Sequence, residues 1–117
     1  MIGKAIVIDD DQSTCEMLAA SLSRKGLEIS WHTSVREADS VLNSQEYDVV
    51  LTDMNMPGED GLSLCRRLVE SRPDIPVVVI TAFGSMETAV SALRAGAYDF
   101  VNKPIDLDVL ALILKRA

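Results

Sequence analysis

The sequence is organised around a short apolar run that ends in three acids, AIVIDDD at residues 5–11. Ala5–Ile8 is short and rich in β-branched residues, which is typical of a strand that is buried on both faces. Similar apolar runs recur at Val49–Leu51, Val77–Ile80 and, more weakly, Tyr98–Val101. Leu27–His32 alternates apolar and polar residues, which indicates an edge strand with one solvated face. The sequence therefore predicts five strands.

Segments with helical spacing of their apolar residues separate these strands. In the first, Met17, Leu18, Ser21 and Leu22 recur at spacings of three to four residues, and Gly26 is the expected C′ residue after the helix. The five predicted helices run over 13–25, from Ser34 to about Asn43, from Asp60 to Pro73, over Met86–Arg94 and from Asp106 to the chain end. Strands and helices thus alternate strictly.

Such alternation predicts an α/β fold in which a parallel sheet is covered by helices on both faces. If the polar second strand lies at an edge, right-handed crossovers give the order 2-1-3-4-5 in a doubly wound, three-layer sandwich of the flavodoxin type. The first and last helices then share one face, and the middle three share the other. Ligands of such sheets bind at the carboxyl ends of the strands, where the strand order reverses, here between the first and third strands.

Length and composition limit the possible functions. The chain has 117 residues and a formal net charge of −7, which suits one domain and disfavours nucleic-acid or anionic-membrane binding by this segment. No apolar run approaches the roughly 18 residues of a membrane span. Cys15 and Cys65 fall on opposite sheet faces and are expected to be free, buried thiols. We therefore expect a cytoplasmic domain.

The residues at the predicted strand ends carry the chemistry. Three carboxylates, a hydroxyl and an ammonium should meet at one edge of the sheet, from Asp9, Asp10, Asp53, Thr81 and Lys103. Clustered carboxylates repel one another, and a hard divalent cation relieves that repulsion. Oxygen ligands favour Mg²⁺, or Mn²⁺, over zinc. A carboxylate nucleophile beside such a metal, a lysine and a hydroxyl indicates phosphoryl transfer to give an acyl phosphate.

Four segments resemble the CheY-like receiver domains of two-component response regulators: IVIDDD (6–11), VVLTDMNMPGEDGL (49–62), VVVITA (77–82) and GAYDFVNKP (96–104). The resemblance covers essentially the whole chain. With TAFGSMETAV (81–90), the last segment is most similar to receivers of NtrC-type transcriptional activators. The resemblance therefore implies that residues 1–117 form the N-terminal receiver of a longer regulator.

The resemblance also implies a role for each matching residue. Asp53 would accept the phosphoryl group and would bind the metal together with Asp10 and the backbone carbonyl of Asn55, while Asp9 would act through a metal-bound water. The phosphoryl group would be contacted by Thr81, by the backbone N–H of Ala82 and by Lys103. Phe100 occupies the position of a switch aromatic, although an aromatic residue in a strand is equally well explained as part of the core. Asp11 is better explained as a helix cap, and His32 is expected to lie far from the acidic edge.

The resulting functional hypothesis is a switch module rather than an enzyme with a separate substrate, although it would catalyse its own phosphorylation and dephosphorylation. A sensor histidine kinase would donate the phosphoryl group, and the output would be transcriptional regulation. The nearly apolar last helix suggests a homodimer through the 86–116 face. The alternatives are a stand-alone phosphorelay receiver and an aspartyl-phosphate phosphatase, although the chain lacks the second acid of a DxDxT motif.

Overall fold

Strands and helices alternate along the described chain, as the sequence predicts. The computed structural model describes residues 3–54, 61–81, 86–102 and 105–116, without the side chains of residues 61, 62, 86 and 88. The strands are β1 (Gly3–Ile8), β2 (Leu27–His32), β3 (Val49–Asp53), β4 (Val77–Thr81) and β5 (Asp99–Asn102). The helices are α1 (Gln12–Ser23), α2 (Val35–Ser44), α3 (Gly61–Ser71), α4 (Met86–Arg94) and α5 (Leu107–Arg116).

The five strands form one parallel sheet in the predicted order, β2-β1-β3-β4-β5. Pairing places Ile8 beside both His32 of β2 and Thr52 of β3. The carboxyl ends of β2, β1 and β3 therefore meet at one edge of the sheet. The three central strands are buried throughout, except for the first two residues of β1, which is why their sequences do not alternate.

Two hydrophobic cores lie on opposite faces of the sheet. One joins the buried sides of α2, α3 and α4, and the other joins those of α1 and α5. Cys15 belongs to the α1/α5 core and Cys65 to the opposite one, and both are buried free thiols, as predicted. Each fully buried Leu, Ile or Val contributes about 1.5–3 kcal/mol by its removal from water, so the covering helices stabilise the sheet from both sides.

Short polar side chains begin three of the helices. The Asp11 carboxylate accepts from the Ser13 N–H at 3.0 Å, and the Ser34 hydroxyl accepts from the Glu37 N–H at 3.2 Å. Asp106 Oδ1 accepts from the N–H groups of Asp108 and Val109. These bonds satisfy N–H groups that have no partner within the helix. Asp60, the predicted start of α3, lies outside the described residues.

Two details of the first helix differ from prediction. Met17 was grouped by its spacing with Leu18 and Leu22, but 43% of its surface is exposed, and the buried residues of α1 are Cys15, Leu18 and Leu22. Gly26 has a positive φ of 92°, but the C-cap is Arg24, so the C′ residue is Lys25 and Gly26 lies one residue beyond it. The cause is a three-residue turn, in which the N–H groups of Lys25 and Gly26 donate to Leu22 and Ser23.

Several large apolar side chains remain at the surface on the α4–β5–α5 side. They are Val90, Leu93, Tyr98, Val109 and Leu112, each between 39% and 52% exposed. The last helix therefore has more apolar surface than the sheet covers, as its sequence predicts. Within the described residues, no helix has the length and apolar character needed to cross a membrane.

Candidate functional site

Three aspartates meet where β1 and β3 end. Asp9 and Asp10 directly follow β1, and Asp53 is the last residue of the neighbouring β3. One carboxylate oxygen from each lies within 4.8 Å of the other two. Asp9 and Asp53 are only 1% and 5% exposed, whereas Asp10 is exposed to solvent. The parallel sheet thus assembles the acidic cluster that the sequence predicts.

The turn from β1 into α1 fixes the backbone of Asp9. Its N–H donates to the carbonyl of His32 at 3.2 Å, and its own carbonyl accepts from the Cys15 thiol at 3.3 Å. Asp9 Oδ1 accepts from the N–H of Asp11 at 2.9 Å. The first acid of the cluster is therefore held by β2, by α1 and by its own turn. Asp11 caps α1 and is outside the cluster within the described residues, in agreement with prediction.

The thiol of Cys15 lies beneath this turn and stays protonated at neutral pH. Burial, and then the negative charge of Asp9, raise the pKa of the Cys15 thiol from 9.0 to about 11. A protonated thiol can donate a weak hydrogen bond to the Asp9 carbonyl. Cys15 was predicted only as a small buried hydrophobe, and nothing in the sequence indicates this contact.

Thr81 ends β4 at the same edge of the sheet and is fully buried. Asp53 pairs with Ile80, so Thr81 lies one residue further along the adjacent strand. Its hydroxyl donates to Asn102 Oδ1 at 2.7 Å and lies 3.4 Å from the carbonyl of Val101. Thr81 is thus at the predicted edge, with its hydroxyl directed to β5.

The cluster suits a hard divalent cation. Its donors are carboxylate oxygens, which Mg²⁺ and Mn²⁺ prefer, and their mutual proximity disfavours three bare charges. Asp9, Asp10 and Asp53 would hold such an ion, with exposed Asp10 on the solvent side. Three further predicted site residues, Asn55, Ala82 and Lys103, lie outside the described residues.

Phe100 lies in β5 and is half-buried. It is two residues before Asn102, which brings both residues to the same face of the strand. Within the described residues, Phe100 belongs to neither hydrophobic core. Its role stays a prediction.

The position of His32 was predicted wrongly. It was expected far from the acidic edge, but it ends β2 beside Ile8, and its carbonyl accepts from Asp9. Its imidazole Nδ1 lies 3.7 Å from the carboxylate of Glu37. The reason is strand register. Because β1 and β2 pair in parallel from their first residues, their last residues also lie side by side at one edge of the sheet. Counting residues from the predicted start of each strand would have placed His32 beside the acidic edge.

The strand order and the position of the acidic cluster together define the class of CheY-like α/β domains. The chain belongs to the response regulator receiver domain family, whose model matches residues 5–115.

Individual relatives support the same assignment. The chain is 40% identical over 114 residues to the response regulator protein PilR of Pseudomonas aeruginosa, which covers 97% of the chain and 26% of PilR. It is 36% identical over 115 residues to the DNA-binding transcriptional regulator NtrC of Proteus hauseri, covering 98% and 24%. The predicted likeness to NtrC-type receivers is confirmed. The chain spans about a quarter of the length of these relatives.

Solved structures agree. A crystal structure of NtrX from Brucella abortus superposes with a TM-score of 0.93 at 36% identity, covering 100% of this chain and 27% of NtrX. The solution structure of the beryllofluoride-activated NtrC4 receiver domain dimer superposes with a TM-score of 0.89 at 34% identity, covering 97% and 93%. The predicted fold is confirmed.

Proposed function

We propose that this domain is a phosphorylation-activated switch in which Asp53 accepts a phosphoryl group from a phosphohistidine of a sensor histidine kinase. The observation that carries this proposal is the acidic cluster of Asp9, Asp10 and Asp53 at the carboxyl ends of β1 and β3. Membership of the receiver family supports the same conclusion.

In the proposed reaction a carboxylate oxygen of Asp53 attacks phosphorus. An O–P bond forms, the P–N bond to the donor imidazole breaks, and the departing nitrogen keeps the electron pair. A bound Mg²⁺ supplies positive charge to the phosphoryl oxygens and to the crowded carboxylates. Asp9 and Asp10 hold negative charge where the cation would bind, and the buried position of Asp53 limits the access of water. Thr81 and Lys103 would stabilise the transferred group, together with the backbone N–H of Ala82.

The domain is not proposed to act on a separate substrate, although it would catalyse its own phosphorylation and dephosphorylation. Phosphorylation would favour a conformation in which Thr81 moves toward the phosphoryl group and Phe100 turns inward. The exposed apolar side chains of α4 and α5 support a homodimer through the 86–116 face. The similar NtrC4 receiver domain, in its beryllofluoride-activated form, is a dimer in solution, which supports the same assembly.

The proposed output is transcriptional regulation by a longer protein of which residues 1–117 are the receiver. The names of PilR and NtrC support it, because each is a regulator and NtrC is described as DNA-binding. Direct contact with nucleic acid would belong to another part of such a protein, since this segment carries a net charge of −7.

The test is incubation with Mg²⁺ and acetyl phosphate, followed by intact mass. We expect a single phosphate adduct on the native protein and none on Asp53→Asn. Asp11→Asn is the matched control, because Asp11 adjoins the cluster but caps α1, and Asn caps equally well. An adduct that persists in Asp53→Asn, or no adduct on the native protein, would contradict the proposal. Turnover of generic phosphate esters would instead favour a phosphatase.

A further inference from the structure

The hydrogen bond between Thr81 and Asn102 is built into the sheet. The two residues are direct partners in the parallel pairing of β4 and β5, so their side chains project from the same face. The distance from Thr81 Oγ1 to Asn102 Oδ1 is 2.7 Å, which is a short and favourable O–H···O geometry. The alternative acceptor, the carbonyl of Val101, is 3.4 Å away.

Packing does not explain why residue 102 is an asparagine. It ends β5 and is exposed, whereas Val101 beside it is buried, so a polar amide at this position contributes little to the core. Its amide oxygen nevertheless accepts a hydrogen bond from a hydroxyl that is fully buried. The contact therefore determines the direction in which the Thr81 hydroxyl points.

A hydroxyl has one proton to donate. In this structure that proton is directed to Asn102, but a phosphoryl group on Asp53 would need the same proton. We propose that Asn102 is a positioning residue that holds the Thr81 hydroxyl in the unphosphorylated orientation, so that activation must first break this bond. This inference rests on the proposed function and assigns a regulatory role within the same site.

Removal of the Asn102 acceptor should make the active orientation easier to reach. Asn102→Leu keeps a similar shape without hydrogen-bonding groups, and Asn102→Ala removes the amide with less bulk. The net free energy of one protein hydrogen bond corresponds to a factor of about three to ten in an equilibrium constant. Both variants should therefore bind a phosphoryl mimic more tightly than the native protein by that factor. Asn43→Leu, which alters an exposed asparagine on α2, is the matched control and should leave the affinity unchanged.

The experiment is a titration of the protein with beryllofluoride at saturating Mg²⁺, followed by fluorine NMR. Each Asn102 variant is measured with native Thr81 and with Thr81→Val, which removes the hydroxyl and keeps the shape. We expect tighter binding only where the hydroxyl is present. A stability effect alone would appear in both backgrounds, so the double-mutant cycle isolates the Thr81–Asn102 pair.

Unchanged or weaker binding by both Asn102 variants, while the native protein binds, overturns this inference and leaves the proposed function standing. An equal gain in the Thr81→Val background also overturns it. Failure of the native protein to bind beryllofluoride, together with no Asp53 adduct from acetyl phosphate, overturns the proposed function and this inference with it.

Discussion

Replacement of Asp10 by Asn should stabilise the fold while it weakens the metal site. One oxygen of Asp10 lies within 4.8 Å of oxygens from Asp9 and Asp53. Coulomb's law at this distance gives at least about 0.9 kcal/mol of repulsion for each such pair, which is the value in water, because Asp10 is exposed whereas Asp9 and Asp53 are buried. With two neighbours, we expect Asp10→Asn to raise the free energy of unfolding by about 1–2 kcal/mol without divalent metal.

Mg²⁺ should reduce the stability advantage of the variant over the native protein. A ligand at tenfold its dissociation constant stabilises the folded state by about 1.4 kcal/mol, and removal of one carboxylate weakens binding of the cation. Mg²⁺ should therefore stabilise the native protein more than the variant. The assay is urea unfolding with and without Mg²⁺, followed by the fluorescence of Trp31, which is partly buried in β2.

Asp11→Asn is the control, because it removes the same charge from the same turn but outside the cluster. It should change neither the stability nor the response to Mg²⁺ by more than about 0.5 kcal/mol, as is usual for surface substitutions. The reasoning is refuted if Asp10→Asn is less stable than the native protein without metal. It is also refuted if Mg²⁺ stabilises both proteins equally, since the acids would then not act as a repulsive cation site.

Two further predictions concern stability. An alanine in place of Gly26 or Gly96 would have to adopt a positive φ of about 92° or 102°, respectively, at a cost of roughly 1–2 kcal/mol. The two sites differ in the space around the new Cβ, which would lie 2.9 Å from Val69 at Gly96 but would meet nothing within 4 Å at Gly26. Gly96→Ala should therefore lower the free energy of unfolding by about 1–3 kcal/mol more than Gly26→Ala does. Urea unfolding measures both losses, and equal losses of stability would contradict this reasoning. Because the pKa of Cys15 is raised from 9.0 to about 11, the stability due to its neutral thiol is complete below pH 9 and is lost as the pH rises through 11. The stability difference between the native protein and Cys15→Ser should shrink over that range, and parallel pH profiles would refute the assignment.

The order and type of the elements could be predicted because each depends on local pattern. Val77–Ile80 is a continuous apolar run and is buried on both faces, and Met86–Arg94 forms a helix with the predicted bounds. Leu27–His32 alternates and lies at the sheet edge. Errors arose where the local pattern was ambiguous. Met17 has helical spacing with the core residues, but the side of α1 that packs inward is formed by Cys15, Leu18 and Leu22, and Met17 stays exposed.

The composition of the acidic cluster could also be predicted, because the carboxyl ends of parallel strands meet at one edge. The contacts around it could not. The Cys15 thiol reaches the Asp9 carbonyl across six residues, and His32 reaches the same residue from β2. The Cys15 contact depends on how α1 packs against the sheet, and the His32 contact depends on strand register. Neither is a property of a short segment of sequence.

The sequence by itself determined the class of fold, the sheet order and the acids at the strand ends. The physical reason is that hydrophobic periodicity, helix caps and strand ends each depend on the chemistry of a short segment of the chain. Only the tertiary structure decided that the buried hydroxyl of Thr81 is directed to Asn102, since the two residues lie 21 positions apart and meet through the pairing of β4 with β5. A hydroxyl can rotate among several acceptors, and its choice depends on differences in distance of less than an ångström, here 2.7 Å to Asn102 against 3.4 Å to the carbonyl of Val101. Such distances arise from packing and are not encoded in residue spacing.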